Sequence, residues 1–485
     1  MRMIVTACWM IIAILTISLF FGQINAVTAQ ESDDLQWQLK KMEEMMQKQQ
    51  GMIDDLKTKI EIQEEVSKSY VAPIDDEVIG KKVDEYFQKG EGKGMWAKLM
   101  ERPKLGYKKG FYFETADKEF TMKMTGRIQM RYGYTDRDND NNDGEQDDSS
   151  FRLRRARLKW DGHAYKHFKY KIELALKSQG TKSHSFTTSD GATGSNKARA
   201  VELIDWWASY NKNPALSIQF GQWKVPFNRQ RVVSSSKQQM IDRSLAQDEF
   251  TMNRQVGAMV HGKLFDKKFE YYAGMFNGNN RNQKENNNNE HLYIARVSYN
   301  PFGAYGKGIG EMESDLAWSE KPKAHISAAI AYDGAVNETM KLRTLGTVTA
   351  KEVERTSVVG EYGLKYKGFS TNAEAYWRKF DNIEQKGVFG APGRKIIDRG
   401  FFVQGGYFLI PKKFEVAGRY SLIDFDDRRD ENALREASAG LNWFFKGHNK
   451  KVQFNFVREQ KDLPDSNAPT DDIQYFYRIQ YQMAF

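Results

Sequence analysis

The sequence contains one cysteine among 485 residues, Cys8, so the chain cannot form an internal disulfide. It has 10 prolines and 38 glycines, too few for a largely disordered chain. Beyond the N-terminal segment, no apolar run is long enough for a membrane-spanning helix. No GxSxG, HExxH or P-loop motif is present, nor a nucleophile–base pair. The sequence therefore predicts neither an enzyme nor a cofactor or metal site.

The chain has instead an excess of positive charge, with 73 Lys and Arg against 64 Asp and Glu and a formal net charge of +9. Such a balance first suggests nucleic acid or an anionic surface. The N-terminus argues against nucleic acid, because an apolar run over 7–21 precedes Val27 and Ala29 at the −3 and −1 positions of a cleavage site. This pattern predicts a signal peptide over 1–29, whose removal also removes Cys8.

A heptad pattern follows in residues 30–68 and indicates a coiled coil. The a positions hold Leu39, Met46, Ile53 and Ile60, and the d positions hold Met42, Gln49, Leu56 and Gln63. We expect an oligomerising periplasmic coiled coil, with a solitary amphipathic helix as the alternative. Residues 69–110 lack clear periodicity and are predicted to be a linker.

From residue 111 to 485 the dominant period is two. Apolar side chains occupy every second position in FTMKMTGRIQMRYGY and again in the last segment, IQYFYRIQYQMAF. Such strands exceed most soluble strands in length and match tilted transmembrane strands. We predict an all-β domain of sixteen strands near 119–134, 150–162, 166–177, 200–211, 215–224, 254–264, 268–276, 291–300, 323–332, 356–367, 369–379, 400–410, 414–423, 435–445, 451–459 and 472–485.

The predicted connections alternate in length. Short ones such as 211–215 and 367–369 alternate with long ones such as 136–150 and 225–253, which is the arrangement of outer-membrane barrels. The connection 301–322 is longer than this rule predicts. The fold class is therefore a 16-stranded antiparallel transmembrane β-barrel in outer-membrane lipid, with an aqueous channel inside.

The stretch FRLRRARLKW (151–160) carries five cations in one predicted strand. Its apolar phase changes around Arg154 and Arg155, which predicts a β-bulge there. A lipid-facing arginine at the bilayer midplane costs about 2–4 kcal/mol, so Arg155, Arg157 and Lys159 are assigned to the lumen.

The same alternation turns Arg131 and Arg378 inward. It also turns Glu361, Glu374 and Glu415 inward, and we expect these carboxylates to form salt bridges across neighbouring strands. Cations far outnumber acids in the first three strands. Because ladders of Arg and Lys line anion pores, and Arg donates paired hydrogen bonds to oxyanions, the pattern favours an anion channel.

Several motifs, in order, resemble the phosphate-selective porins O and P. They are DKEFTMKMTGRIQMRYGY, FRLRRARLKWDGHAYKHFKYKIEL, FGQWKVPFNRQRVVSSSKQQMIDRSLA, GLNWFFKGHNKKVQFNFVRE and the terminal YRIQYQMAF. The resemblance covers about residues 110–485. It implies a trimeric porin of sixteen strands whose third external loop, 225–253, folds into the pore.

The resemblance also implies roles for single residues. Arg157 stands where phosphate-selective relatives have an aromatic residue. The motifs place constriction arginines at Arg127 (GRIQ), Arg154 and Arg155 (LRRAR), pore lysines at Lys169 (FKYK) and Lys237 (SSSK), and an acidic partner at Asp205 (IDWWASY).

The expected function is a water-filled, anion-preferring channel for phosphate or related oxyanions, formed by a homotrimer in the outer membrane. The alternative is a general or structural porin whose coiled coil tethers the outer membrane to the cell wall or spaces it. A soluble basic binding protein is a third reading, which partitioning away from the outer membrane would support.

Overall fold

The structure is a computed structural model. It describes residues 103–137, 147–176, 185–187, 193–195, 201–278, 280–282, 286, 289–336, 339–342, 346–349, 353–383, 394–425, 433–462 and 472–485. All of them belong to one compact unit, Leu99–Phe485. The predicted signal peptide and coiled coil lie outside the described residues.

The described residues form twenty-two strands and two short helices. The strands are β1 (Lys104–Tyr107), β2 (Phe111–Glu114), β3 (Thr121–Arg137), β4 (Asp148–Ala164), β5 (Phe168–Leu176), β6 (Ser185–Thr187), β7 (Thr193–Ser195), β8 (Val201–Asn213), β9 (Leu216–Lys224), β10 (Arg254–Leu264), β11 (Phe269–Phe276), β12 (Leu292–Tyr299), β13 (Lys323–Val336), β14 (Thr339–Leu342), β15 (Gly346–Thr349), β16 (Val353–Tyr366), β17 (Phe369–Ile383), β18 (Arg394–Ile410), β19 (Phe414–Asp424), β20 (Ala433–Phe444), β21 (Lys450–Lys461) and β22 (Asp472–Ala484). The helices are α1 (Arg229–Val232) and α2 (Leu245–Phe250).

Eighteen strands make one antiparallel sheet, and all but β1 and β2 form a closed ring of sixteen. Closure comes from β22 pairing with β3, where Ile479 lies opposite Tyr132. Every one of the sixteen predicted strands overlaps a strand of this ring, so the predicted barrel is confirmed. No helix within the described ranges is long and apolar enough to cross a membrane.

The β1–β2 hairpin was not predicted. It pairs with the start of β3, where Phe111 lies opposite Met124. The predicted linker boundary at residue 110 therefore falls inside this hairpin. The short hairpins β6–β7 and β14–β15, which lie within long connections, were also not predicted.

Strand β12 illustrates how the alternation separates two environments. Its residues alternate between buried and exposed along the whole strand. Tyr293 and Val297 are exposed on the outside, whereas Ile294 and Arg296 are buried inside. The exterior face is apolar because it meets lipid, and the interior face carries the polar and charged groups.

Buried apolar side chains also fill part of the interior. They form one cluster of residues from the barrel wall and the connection after β9: Trp223, Val225, Phe227, Ala246, Phe250, Met252, Met259, Phe276, Leu292, Ile294, Ala329, Ala331, Val359, Tyr376, Phe402, Ile423, Phe425 and Leu434. A water-filled barrel has no need of such a cluster, so it indicates that a segment of chain packs against the inner wall.

The C-terminal residue closes the seam beside a glycine. Phe485 and Gly126 exchange two backbone hydrogen bonds of 2.9 and 3.0 Å. A Cβ at Gly126 would lie 2.1 Å from the Phe485 ring, so only glycine leaves space for that ring.

Gly126→Ala is expected to lower the free energy of unfolding by about 1–3 kcal/mol, because the added methyl overpacks the seam. The measurement is the temperature at which the folded barrel converts to the unfolded band on a detergent gel. Gly133→Ala is the matched control, since a Cβ there meets nothing nearer than 4.0 Å. Equal losses in the two variants would contradict the role assigned to Gly126.

Candidate functional site

The connection 225–253 folds into the barrel instead of extending from its mouth. It contains α1 and α2, and the hydroxyl of Ser244 caps α2 by accepting a 3.1 Å hydrogen bond from Gln247 N. Phe227 and Phe250 are buried in the interior apolar cluster. We call residues 225–253 the pore loop.

Carboxylates of strands β16 and β17 bind the backbone of the pore loop. Glu361 accepts a 2.8 Å hydrogen bond from Arg229 N, and Glu374 accepts one of 2.6 Å from Gln230 N. Backbone N–H groups of a buried segment need such acceptors when their own segment offers them no partner. The charge of Glu361 is balanced by Arg296, whose Nη1 lies 2.8 Å from Oε1.

Salt bridges between neighbouring strands were expected at Glu361, Glu374 and Glu415, and the described part of the structure does not contain them in this form. Arg296 on β12 is separated from Glu361 on β16 by the intervening strand β13. Within the described ranges, Glu374 and Glu415 have no cation at ion-pair distance. Glu415 instead accepts hydrogen bonds from Gln239 Nε2 (2.8 Å) and Asn442 Nδ2 (2.9 Å).

The long connection between β12 and β13 supports the pore loop from the turn side of the barrel. Its Glu313 accepts a 2.8 Å hydrogen bond from Gln239 N of the loop, and its Glu311 lies 3.4 Å from Lys365 Nζ. Asp315 fastens the segment to the wall by accepting from Gly368 N at 2.9 Å. This inward packing explains why the connection exceeds the usual length of a turn.

The wall formed by strands β3 and β4 presents cations to the pore loop. Arg127 on β3 lies directly across from Arg157 on β4. The Arg127 guanidinium donates to the hydroxyls of Ser234 and Ser235 of the pore loop, both at 3.1 Å. Arg157 pairs with Glu173 at 2.8 Å. The loop and this wall therefore face each other across arginine side chains.

The predicted β-bulge is present, and it turns both neighbouring arginines, Arg154 and Arg155, inward. Gln129 pairs with Arg155 and Met130 pairs with Leu153, so Arg154 is the extra residue. Arg155 donates to Gln129 Oε1 at 3.2 Å, and Arg154 lies 3.5 Å from Asp242 of the pore loop. The bulge places both side chains inside, because the extra residue changes the phase of the strand.

The pore loop and its flanking strands add cations that the sequence analysis did not identify individually. Arg243 donates to the carbonyl oxygens of Gln230 (3.0 Å) and Val233 (2.9 Å). Lys224 donates to Val233 O at 3.0 Å and lies across from Arg254 in the β9–β10 pairing. Together with Arg231, these residues extend the positive wall onto the loop.

We call Arg127, Arg155, Arg157, Arg231, Arg243 and Arg254 the arginine cluster. Arg254 pairs with Asp205 at 2.6 Å, and Lys171 contacts both Asp205 and Glu173. Asp205 thus balances the charges of two cations, Lys171 and Arg254. Within the described part of the chain, the other four arginines, Arg127, Arg155, Arg231 and Arg243, have no carboxylate at ion-pair distance.

Burial lowers the pKa values of the loop arginines Arg231 and Arg243, and neighbouring arginines add to the effect. Burial, followed by the like charges of Arg243 and Arg254, lowers the pKa of Arg231 to about 9. Burial also lowers the pKa of Arg243 to about 10, against the attraction of Asp248. Both groups remain charged near neutral pH, so the cluster keeps its excess of cations.

Five of the expected pore residues lie outside the arginine cluster. Arg131 and Arg154 contact Asp242 of the pore loop, and the other three are Arg378, Lys169 and Lys237. Arg378 is buried against Phe250 and pairs with Asp398 (2.6 Å) and Glu249 (2.8 Å), so it holds the pore loop and does not line an open path. Lys169 is exposed. Glu313 N of the β12–β13 connection donates to Lys237 O at 3.2 Å, which places Lys237 beside that connection.

Comparison with known proteins gives one family match. The family model described as "Phosphate-selective porin O and P" matches residues 122–485. That range contains the whole arginine cluster and the pore loop.

An uncharacterized protein of Aquifex aeolicus (strain VF5) is 23% identical over 399 residues, which cover 75% of this chain and 89% of that protein. Among solved structures, the outer membrane channel DcaP of Acinetobacter baumannii is 14% identical with a TM-score of 0.48, covering 75% of this chain and 97% of that one. An anion-selective porin from Comamonas acidovorans is 10% identical with a TM-score of 0.47, covering 76% and 100%. Such similarity supports no transfer of residue roles.

Proposed function

The chain belongs to the phosphate-selective porin O and P family of outer-membrane channels, and on this premise we propose that its pore prefers anions, with phosphate and related oxyanions as its substrates. The preference would be set where the pore loop faces β3, β4, β9 and β10. Permeation would involve no covalent chemistry: cationic side chains replace part of the hydration shell of the anion and then release it.

The observation that carries the proposal is the excess of cations in the arginine cluster. Four of its six arginines have no carboxylate at ion-pair distance among the described residues, whereas Arg157 and Arg254 are each paired once. Among the described residues, no ion-pair partner therefore neutralises the charges of these four arginines. A pore lined in this way attracts anions and repels cations.

The chemistry of the cluster favours oxyanions over halides. A guanidinium presents donors in a planar fork that matches two oxygens of one phosphate, and Arg127 and Arg155 use their forks only on neutral groups. The serine hydroxyls of Ser234 and Ser235, which already accept from Arg127, could turn their hydrogens toward a bound oxyanion. Phosphate is the simplest ligand that would use both kinds of donor.

Assembly remains part of the proposal. We expect a homotrimer, with the coiled coil at 30–68 acting in the periplasm as a trimer clamp or as a tether to the cell wall. Deletion of residues 30–68 separates these roles. A tether predicts altered envelope spacing with unchanged conductance, whereas a clamp predicts loss of trimers with normal spacing.

The first test is the reversal potential of the purified protein in a planar bilayer under a KCl gradient, followed by titration with phosphate. We expect a chloride-selective potential and a chloride current that low phosphate concentrations block. Chloride selectivity without block would leave a general anion porin. A cation-selective potential would reject the proposal, because it would contradict the lumen assignment of the arginine cluster.

A further inference from the structure

A carboxylate of the pore loop lies among three arginines from three different strands. Arg131 of β3 binds Asp242 with both terminal nitrogens, at 2.7 and 2.9 Å. Arg154 of β4 and Arg478 of β22 approach the same carboxylate, each at 3.5 Å. Three positive charges thus surround one negative charge, and a net positive charge remains.

This group is partly open to the lumen. The side chain of Arg131 is 1% exposed, but that of Arg154 is 37% exposed and that of Asp242 is 22% exposed. A sealed ion pair would serve only to hold the loop, whereas ions in the lumen can reach this one. The bidentate contact to Arg131 also demonstrates that the geometry suits an oxyanion.

The charge state of Asp242 is fixed by its surroundings. Burial opposes its ionisation, but Arg131, Arg478 and Arg154 outweigh burial and hold the pKa of Asp242 below its usual range. The carboxylate therefore stays negative over the whole physiological pH range.

Asp242 and its three arginines lie closer to the external mouth of the channel than Arg127 does. Arg131 lies four residues beyond Arg127 on β3, toward the long connections, which corresponds to roughly 13 Å along the strand. Long connections face the outside of the cell in outer-membrane barrels. An anion entering from outside would meet Asp242 and its three arginines before Arg127.

We propose that Asp242 is a tethered carboxylate that occupies an anion-binding position between Arg131, Arg154 and Arg478, and that it weakens the binding of passing anions there. The proposal rests on the proposed anion channel and names a residue that sets its affinity. The occupied position repels a second anion, so an entering phosphate is held weakly and moves on to the arginine cluster. Release is as necessary for conduction as capture.

The test compares wild type with Asp242→Asn, which keeps the size of the side chain and removes its charge. The measurements are the reversal potential in a KCl gradient, the phosphate concentration that halves the chloride current, and the largest neutral sugar that passes. We expect Asp242→Asn to shift the reversal potential toward chloride and to lower the half-blocking phosphate concentration about tenfold, with an unchanged sugar limit. Asp333→Asn is the matched control, because it removes the carboxylate charge of another ion pair, in which Arg355 Nη2 lies 2.8 Å from Asp333 Oδ2.

Each other outcome has a distinct meaning. An unchanged half-blocking concentration would overturn the inference, as would a raised sugar limit with loss of selectivity, which would make Asp242 only a latch for the loop. If the wild type is cation-selective, the proposed function fails, and the direction of the Asp242→Asn shift in reversal potential still decides the inference.

If Asp242→Asn does not fold, Arg478→Gln decides the question. This variant keeps the Arg131–Asp242 contact that holds the loop. With one cation fewer, the negative charge of Asp242 offsets more of the positive charge around it. We therefore expect a higher half-blocking phosphate concentration than in wild type. No change in that concentration would overturn the inference.

Discussion

Replacing Arg127 and Arg155 together with glutamine is expected to raise the half-blocking phosphate concentration by at least about a hundredfold. Hydrogen bonds to charged groups contribute about 1.5–3 kcal/mol each, and every 1.4 kcal/mol is a factor of ten in affinity. Both arginines bind only neutral groups in the structure, so their loss leaves no carboxylate unpaired. The fold should therefore survive while the anion preference falls.

The matched controls separate a local effect from a change in net charge. Lys395→Gln removes one positive charge whose side chain is 64% exposed, and it should leave phosphate block unchanged. Arg127→Lys keeps the charge but loses the planar fork, so it should retain chloride selectivity and lose most of the phosphate block. Equal block by phosphate in wild type and the double glutamine variant would remove the arginine cluster from the proposed path.

The barrel could be predicted from the sequence because lipid and water select opposite faces of each strand. That selection writes a period of two into every membrane strand, and FTMKMTGRIQMRYGY shows it without any structure. The bulge was predictable for the same reason, since the apolar phase changes at Arg154 and Arg155. A local pattern sufficed wherever the environment of a residue depends only on which face it occupies.

The interior could not be predicted in the same way. The pore loop has no period, and its partners lie far away in the chain: Arg127 and Ser234 are 107 positions apart, and Gln230 and Glu374 are 144 apart. The motif SSSK placed Lys237 in the pore, but the individual roles of Arg231 and Arg243 depend on how the loop folds back on itself. Asp242 was missed because nothing near it in sequence reveals its three arginines.

Arg378 shows the limit of alternation most clearly. The pattern correctly turned it inward, and the structure then covers it with the pore loop, between Phe250 and Phe380. Facing inward and lining the open path are separate properties in a barrel that contains its own packed loop. Only the second property depends on long-range contacts.

The docking of the pore loop leads to the second large prediction, at the buried pair of Arg296 and Glu361. Arg296→Met is expected to destabilise the folded protein by about 3–5 kcal/mol, because Glu361 would be left as an unpaired charge in a buried position. Arg296 also donates to Phe227 O of the loop at 2.9 Å, and this bond would be lost as well. The ladder of backbone hydrogen bonds in the barrel is unaffected, so the loop should loosen first.

The expected result in planar bilayers is a larger single-channel conductance with weaker anion selectivity, together with a lower unfolding temperature. Adding Glu361→Gln should recover part of the loss, since glutamine removes the unpaired charge and still accepts from Arg229 N, which donates to Glu361 at 2.8 Å in the wild type. Arg355→Met breaks a comparable pair with Asp333, whose hydrogen bonds among the described residues do not involve the pore loop. It should lower the unfolding temperature and leave the conductance unchanged. If both single variants altered conductance equally, the change would reflect general loosening of the barrel, and the Arg296–Glu361 pair would have no special role in holding the loop.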